Sequence, residues 1–459
     1  MNHKGNSVEG LVIAYIGGGS RGWAWNLMAD LAMEGQLSGT VRLYDINAEA
    51  AQRNVVLGNK LTNRPEATGC WNYQYAASLE DALTGADFVI CSILPGTFTE
   101  MASDVHEPEK YGIYQSVGDT VGPGGLMRAL RTIPIYRDLA LAIRHHCPQA
   151  WVINYTNPMS LCTWALYDTF PEIKAFGCCH EVFGTQDLLA SMLETRHGTG
   201  KVPRQEIKVN VLGINHFTWL DQATWKGQDL FPLYRALVDE CWETGIAPGN
   251  DGHWLNNFFA SAHRVKFDLF RRYGLMAAAG DRHLAEFCPP WYLKNPETVK
   301  QWKFSLTPVA WRVENKAKLE ARSLRLASGE EEMTLKVSGE EGILQIKAIL
   351  GLGDLITNVN LPNVGQAVDL PLGCIVETNA VFGRDAVRPV VAGRLPAPVR
   401  ALVTRHIHNQ EAILLASKTR DQDLAFQAFC NDPLVQIPVD DARTLFQTML
   451  SNIKAYLPE

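Results

Sequence analysis

The chain has 459 residues, 46% hydrophobic and 20% charged, with a formal net charge of −7. That is enough for a large core and two intimately joined domains, and it leaves no broad basic surface for nucleic acid or anionic lipid. The polar start MNHKGNSVEG and the short apolar run Leu11 to Ile16 fit neither a signal segment nor a membrane span. Ten cysteines without framework spacing, Cys178 and Cys179 adjacent, fit reduced thiols, so a cytoplasmic protein is expected.

In chain order, β-rich runs at Leu11 to Ile16, Val41 to Tyr44, Asp87 to Ile93 and Trp151 to Tyr155 alternate with amphipathic stretches. Ser78 followed by Asp81 resembles a capped helix start before Asp87. This rhythm predicts an α/β fold over residues 1–200, a Rossmann-type doubly wound parallel sheet with crossover helices. Further strands are expected at Ala175 to Gly177 and Lys208 to Leu212. Beyond about residue 200 come helical segments, Trp254 to Tyr273 and Arg400 to Ser417, and β-like runs at Gly342 to Leu350 and Cys374 to Glu377. Residues 201–459 are therefore expected to form an α+β second domain. Repeats and linkers are absent, so the halves should share a core.

Directly after the first strand, Gly17-Gly18-Gly19-Ser20-Arg21-Gly22 satisfies G-x-G-x-x-G and opens a helix expected to run to about Glu34. Gly17 would make the tight turn, Gly19 would let the backbone approach a pyrophosphate beside Ser20, and Gly22 would allow close helix packing. Such a turn alone also fits a mobile loop or another phosphate site. Asp45, ending the second strand, adds an acid that can accept from both ribose hydroxyls and disfavours the 2′-phosphate of NADP. NAD is the cofactor expected.

Cys179 and His216 stand just after the two later strands. A thiolate and an imidazole on neighbouring strand ends suit a catalytic divalent ion with open positions. A buried thiol and a satisfied core histidine are the alternative.

Several motifs, in order, resemble glycoside hydrolase family 4: the Gly17 turn, Gly118-Asp119-Thr120-Val121-Gly122-Pro123-Gly124-Gly125 with Ala129-Leu130-Arg131-Thr132, Asn154-Tyr155-Thr156-Asn157-Pro158, Cys179 to Val182, Gly213 to His216, Gly280-Asp281-Arg282-His283 and Asn360 to Asn363. The resemblance covers nearly the whole chain. It implies cleavage of an α-glycoside by transient NAD-dependent oxidation at C3, proton removal at C2, elimination, water addition and re-reduction, in place of paired carboxylates. It also implies Cys179 and His216 as ligands of Mn²⁺, and a homo-oligomer built through the second domain. Asp281 matches an aspartate proposed as the base in some members. A helix-capping acid is its alternative. His180 is the acid candidate, with an orienting role as the alternative. Asn157 is expected to hold sugar hydroxyls, or to form an Asx turn.

The segment Cys179-His180-Glu181-Val182 resembles the version found in α-galacturonidases, so the expected partner is a small α-galacturonide or oligogalacturonide. Glu181 would accept from the C4 hydroxyl or hold an arginine. The uronate carboxylate needs a cationic fork, for which Arg282, Arg128 and Arg131 are candidates, with His283 beside them. Trp151, Trp164, Trp219, Trp254 and Trp291 are stacking candidates, though core positions suit most of them. The alternatives are α-glucuronides, α-galactosides or α-glucosides as substrates, an NAD-dependent sugar-acid or hydroxy-acid dehydrogenase, and a catalytically silent NAD(H)-binding regulator.

Overall fold

A computed structural model describes residues 1–246 and 259–457. The first half supplies β1 (Asn2–Lys4), β2 (Ser7–Ile16), β3 (Leu37–Tyr44), β4 (Cys70–Tyr75), β5 (Phe88–Cys91), β6 (Trp151–Asn154) and β7 (Lys174–Gly177). Next, β8 (Lys208–Ile214), β9 (Phe217–Trp225), β10 (Gln228–Asp229) and β11 (Met276–Ala277) make a small antiparallel sheet. Finally β12 (Leu355–Pro362), β13 (Ile375–Gly383) and β14 (Ala386–Pro389) return to the large sheet, whose order is β14-β13-β12-β7-β6-β5-β2-β3-β4 with β1 antiparallel on β2. The expected division near residue 200 thus falls before β8, and the large sheet draws strands from both sides of it.

From β2 the chain builds outward through β3 and β4, then crosses to the other side for β5, β6 and β7, all in parallel. The strand tips diverge where the winding reverses, and the crevice at the carboxyl ends of β2 and β5 is the natural ligand position of such a sheet. Alternate residues of β2 and β5 enter two different cores, Ala14, Ile16, Val89 and Cys91 on one face and Ile13, Tyr15, Phe88 and Ile90 on the other. Burial on both faces is why these strands read as continuous apolar runs.

Ser78 Oγ accepts the Asp81 N–H at 3.0 Å and opens the helix Leu79–Leu83. The helix after the glycine turn spans Trp23–Ala32, and the expected helix at Arg400 to Ser417 is observed as Ala397–Thr419. Of Trp254 to Tyr273, the helix Arg264–Tyr273 is present, while Trp254 lies outside the described residues. The run Gly342 to Leu350 is not a strand. It forms the helix Gly342–Ile349, because Ile343, Ile346 and Ile349 recur every third residue and face the core over β12 and β13. A short apolar run does not distinguish the two periods. Among the described residues no helix is long and apolar enough to cross a membrane.

Candidate active site

The glycine turn is held by backbone alone at its base: Gly17 and Gly18 donate to the Tyr44 carbonyl at 2.9 and 2.8 Å. Gly17 has φ 98°, and a Cβ there would stand 2.0 Å from the Ser92 carbonyl oxygen, so only glycine fits. A Cβ on Gly19 would meet Asp45 Oδ2 at 2.9 Å. Asp45 accepts the Gly19 and Asn47 N–H groups at 2.9 and 2.8 Å, which aims the carboxylate along the turn. Gly22 caps the following helix. Asn54, absent from the sequence reading, ties the turn by donating to the carbonyls of Gly18 and Ser20 and accepting from Trp25 Nε1 at 2.8 Å. From the second half, Glu320 accepts from Arg21 at 3.2 Å.

At the tips of β6, β7 and the β8–β9 hairpin the structure gathers Asn157, Cys179, His180, Glu181 and His216, and the helix Asp281–Phe287 brings Asp281 and His283. His216 is the second residue of a two-residue turn and adopts φ 65°. A bulky residue in that left-handed conformation persists only where its surroundings fix it, and such strain gathers at functional sites. Its ring centroid lies 3.7 Å from that of His283. One ligand atom each of Asp119, His216 and His283 lie within 4.8 Å of one another. The Cys179 sulfur is not part of that group; the thiol is buried beside Asn215, Glu377 and Glu181.

Thr120 sets the chemistry of His216. Its hydroxyl donates to Asp119 Oδ1 at 2.7 Å and lies 2.9 Å from His216 Nδ1. With that single proton directed to the carboxylate, Nδ1–H donates to the hydroxyl oxygen and Nε2 keeps a lone pair, the arrangement of a metal-ligating imidazole. Burial holds His216 neutral, its pKa down to about 3. Burial opposes ionisation of Asp119 and Glu181, yet Arg128 holds Asp119 well below the usual range, and His283 with the Gly280 N–H, which donates at 2.5 Å, brings Glu181 down to about 2. Two ionised carboxylates beside imidazole nitrogens suit a divalent cation.

Asp281 is fully buried. Its Oδ1 accepts the Lys266 N–H at 3.0 Å, its Oδ2 has no partner, and burial pushes it up to about 6. The buried Lys266, missed by the sequence reading, donates to Thr185 at 2.8 Å. His180 pairs with Glu340 at 3.3 Å and stacks on Trp23 with centroids 5.7 Å apart, at the junction with the glycine turn. Burial disfavours its protonation, but Glu340 outweighs this and raises its pKa. Asn157 donates to Asp119 Oδ2 at 3.3 Å and leaves its own buried Oδ1 unpaired.

Two of the expected carboxylate forks are corrected. Arg131 is 1% exposed, gives both Nη groups to Asp104 at 3.0 and 2.5 Å and Nε to the Pro95 carbonyl, and so has its bidentate face already occupied by a carboxylate of the protein. Arg282 gives Nε to Ser305 and Nη2 to Ser116 and Thr307, which removes the pair of parallel donors that a fork needs. Arg128, which donates Nε to the Asn157 carbonyl at 3.1 Å, and Arg312, whose Nε is buried and unpaired, both bear on Asp119 instead. Arg312 was missed because it lies in the helix Val309–Ser328, outside every motif. Trp219 is wholly buried in the core, and Trp291 packs on Arg272.

The strand order and the glycine turn at its switch point define a Rossmann-type dinucleotide fold. The chain belongs to family 4 of the glycosyl hydrolases, with residues 12–195 matching that family and residues 211–435 its C-terminal domain. An alpha-galacturonidase of Thermoanaerobacterium saccharolyticum is 60% identical over 100% of this chain and 98% of its own length. A solved structure from Bacillus subtilis, 53% identical, superposes with a TM-score of 0.92 over 96% of this chain and 100% of that one. A 6-phospho-alpha-glucosidase from gut microorganisms, solved with NAD and Mn²⁺, shares the fold at 19% identity, with a TM-score of 0.80 over 98% and 99% of the two chains.

Proposed function

We propose that this chain hydrolyses α-galacturonides using NAD and a divalent ion, Mn²⁺, held at adjoining ends of one crevice. The observation that carries the reading is the group Asp119, His216 and His283 at the same strand ends as a glycine turn too tight for side chains. The galacturonide is favoured by the relative described as an alpha-galacturonidase at 60% identity. When bound, NAD supplies a hydride acceptor at the sugar C3, and the ion a Lewis acid toward O2 and O3.

The residues fit both groups. The turn offers backbone N–H groups and a helix N-terminus for a pyrophosphate, Asp45 retains lone pairs for ribose hydroxyls, and Ile46, 96% exposed, offers the adenine an apolar face. His216 and Cys179 are read as the ion's ligands, with Asp119 and His283 beside them. Asp281, with its unpaired oxygen, removes the C2 proton once that proton has become acidic. His180, whose protonated form Glu340 favours against burial, delivers a proton to the glycosidic oxygen. Asn157 Oδ1 accepts from a sugar hydroxyl, and Glu181 from the C4 hydroxyl. Arg312 and Arg128 supply the charge that meets the uronate carboxylate.

The test is hydrolysis of p-nitrophenyl α-galacturonide. It should require NAD and Mn²⁺, accumulate no NADH, and incorporate solvent deuterium at C2 of the product. Full activity after both cofactors are stripped, or stoichiometric NADH, would overturn the reading.

A further inference from the structure

We infer that Glu377 is a positioning residue for the metal end of the crevice: through Asn215 and Asn358 its single carboxylate fixes both the turn that carries His216 and the strand end that carries Cys179. The inference rests on the reading of those two residues as ligands. Glu377 lies on β13, directly opposite Asn360 of β12, and has no solvent exposure. One oxygen, Oε2, accepts from Asn215 Nδ2 at 3.2 Å, and the other, Oε1, accepts from Asn358 Nδ2 at 2.7 Å. The same Asn358 amide donates to the Cys179 carbonyl at 3.2 Å.

Several features separate this group from ordinary core polarity. The carboxylate forms no ion pair among the described residues, and a buried carboxylate without one is costly enough that an apolar side chain would serve stability better. The Oδ1 atoms of Asn215 and Asn360 are also buried without partners, so the cluster is not built to satisfy itself. What it does reach are the backbone of one ligand segment and the residue preceding the other. His216 holds its left-handed φ of 65° directly after Asn215, and such a conformation needs neighbours that over-determine it. Partners that orient ligands in this way typically carry a 10–100-fold share of metal affinity.

The experiment titrates Co²⁺ into the full-length, NAD-loaded, metal-stripped protein, reading the dissociation constant and the thiolate-to-cobalt absorption band. E377L should weaken Co²⁺ binding on the order of 10–100-fold and diminish the band, with NAD affinity unchanged. E377Q should fall between E377L and wild type, because the amide keeps one accepting oxygen and Asn215 can turn its unpaired Oδ1 toward the new donor. N358A, which cuts the link to Cys179 without emptying the Glu377 site, should show the same loss of band should E377L not fold. A wild-type band that persists at full strength and affinity in E377L, or in N358A, overturns the inference alone. A wild-type complex lacking the band and unchanged by C179S overturns the ligand assignment, and the inference with it.

Discussion

The two ends of the crevice are built by different means. At the nucleotide end, bonds to the backbone of one turn set the shape: Tyr44 accepts from Gly17 and Gly18, Ser20 donates to Gly17, the Asp45 carboxylate accepts from Gly19, and the Asn54 amide donates to the carbonyls of Gly18 and Ser20. At the sugar end the shape comes from side chains on five separate segments, with Asp119 meeting both Thr120 and Asn157, Thr120 meeting His216, and Glu181 meeting Gly280 and His283. At the first end the turn itself depends on few side chains, Asp45 and Asn54 among them, whereas at the second the candidate reagents also support one another.

The sharpest contrast should come from H216A. If His216 is a ligand of the ion, its loss removes several kcal/mol of Lewis-acid stabilisation, and hydrolysis should fall on the order of 10³-fold or more. NAD binding, followed by fluorescence titration, should not change, and equal loss of both would show that the two ends are not independent. Next in size is R131M. It leaves Asp104 buried without its partner, and removing one member of such a pair costs about 3–5 kcal/mol. The loss should appear as a lower melting temperature, with the KM of the surviving enzyme unchanged. A raised KM at unchanged stability would return Arg131 to the substrate.

The same contrast explains what could be read from sequence. The strand, Gly17 to Gly22 turn, helix and Asp45 lie within 40 residues of chain, and each obeys a local rule of period or turn chemistry, so that end was legible without coordinates. His216, Cys179 and Asp281 could be singled out as candidates because they sit in recognisable short motifs. Asp119 and Thr120 stand in a motif of their own but, like Lys266 and Glu377, were given no role, because that role comes only from what tertiary packing brings against them. Arg131 misled for the converse reason: a sequence shows that a cation is present and not that Asp104, 27 residues away, already holds it. The Gly342–Ile349 helix was missed because an apolar run of eight residues suits a strand of this sheet as well as a helix laid over it.

R312M sharpens the comparison within the sugar end. Arg312 lies over the Phe259 ring at 5.0 Å and holds none of the loops that Arg282 and Arg131 hold, so its loss should leave the melting temperature in place. If its guanidinium meets the uronate, KM for a galacturonide should rise about 10-fold or more, the cost of a lost charge-assisted hydrogen bond, while a neutral α-galactoside should bind no worse. Equal loss for both sugars would assign Arg312 to the architecture instead.

The smallest effect is expected at the nucleotide end, where one buried charge has no chemistry to perform. Asp30, on the helix that follows the glycine turn, accepts from Ser338 N and Oγ at 2.7 and 2.6 Å, and burial pushes its pKa up to about 6 against these bonds. In the unfolded chain an aspartate titrates near ~3.9. Below that value both states are neutral and nothing is lost. Between about 4 and 6 the unfolded chain releases its proton first, so stability falls as pH rises, and above 6 the penalty is complete. D30N keeps an acceptor for the Ser338 N–H and removes the charge. It should therefore be more stable than wild type at pH 7, by on the order of 1–2 kcal/mol, with the gap closing as the pH is lowered toward 4. Melting curves across that range decide it: a gap that is constant with pH, or of opposite sign, would mean that the Asp30 carboxylate is stabilising as an ion and that the nucleotide end, too, depends on a buried charge.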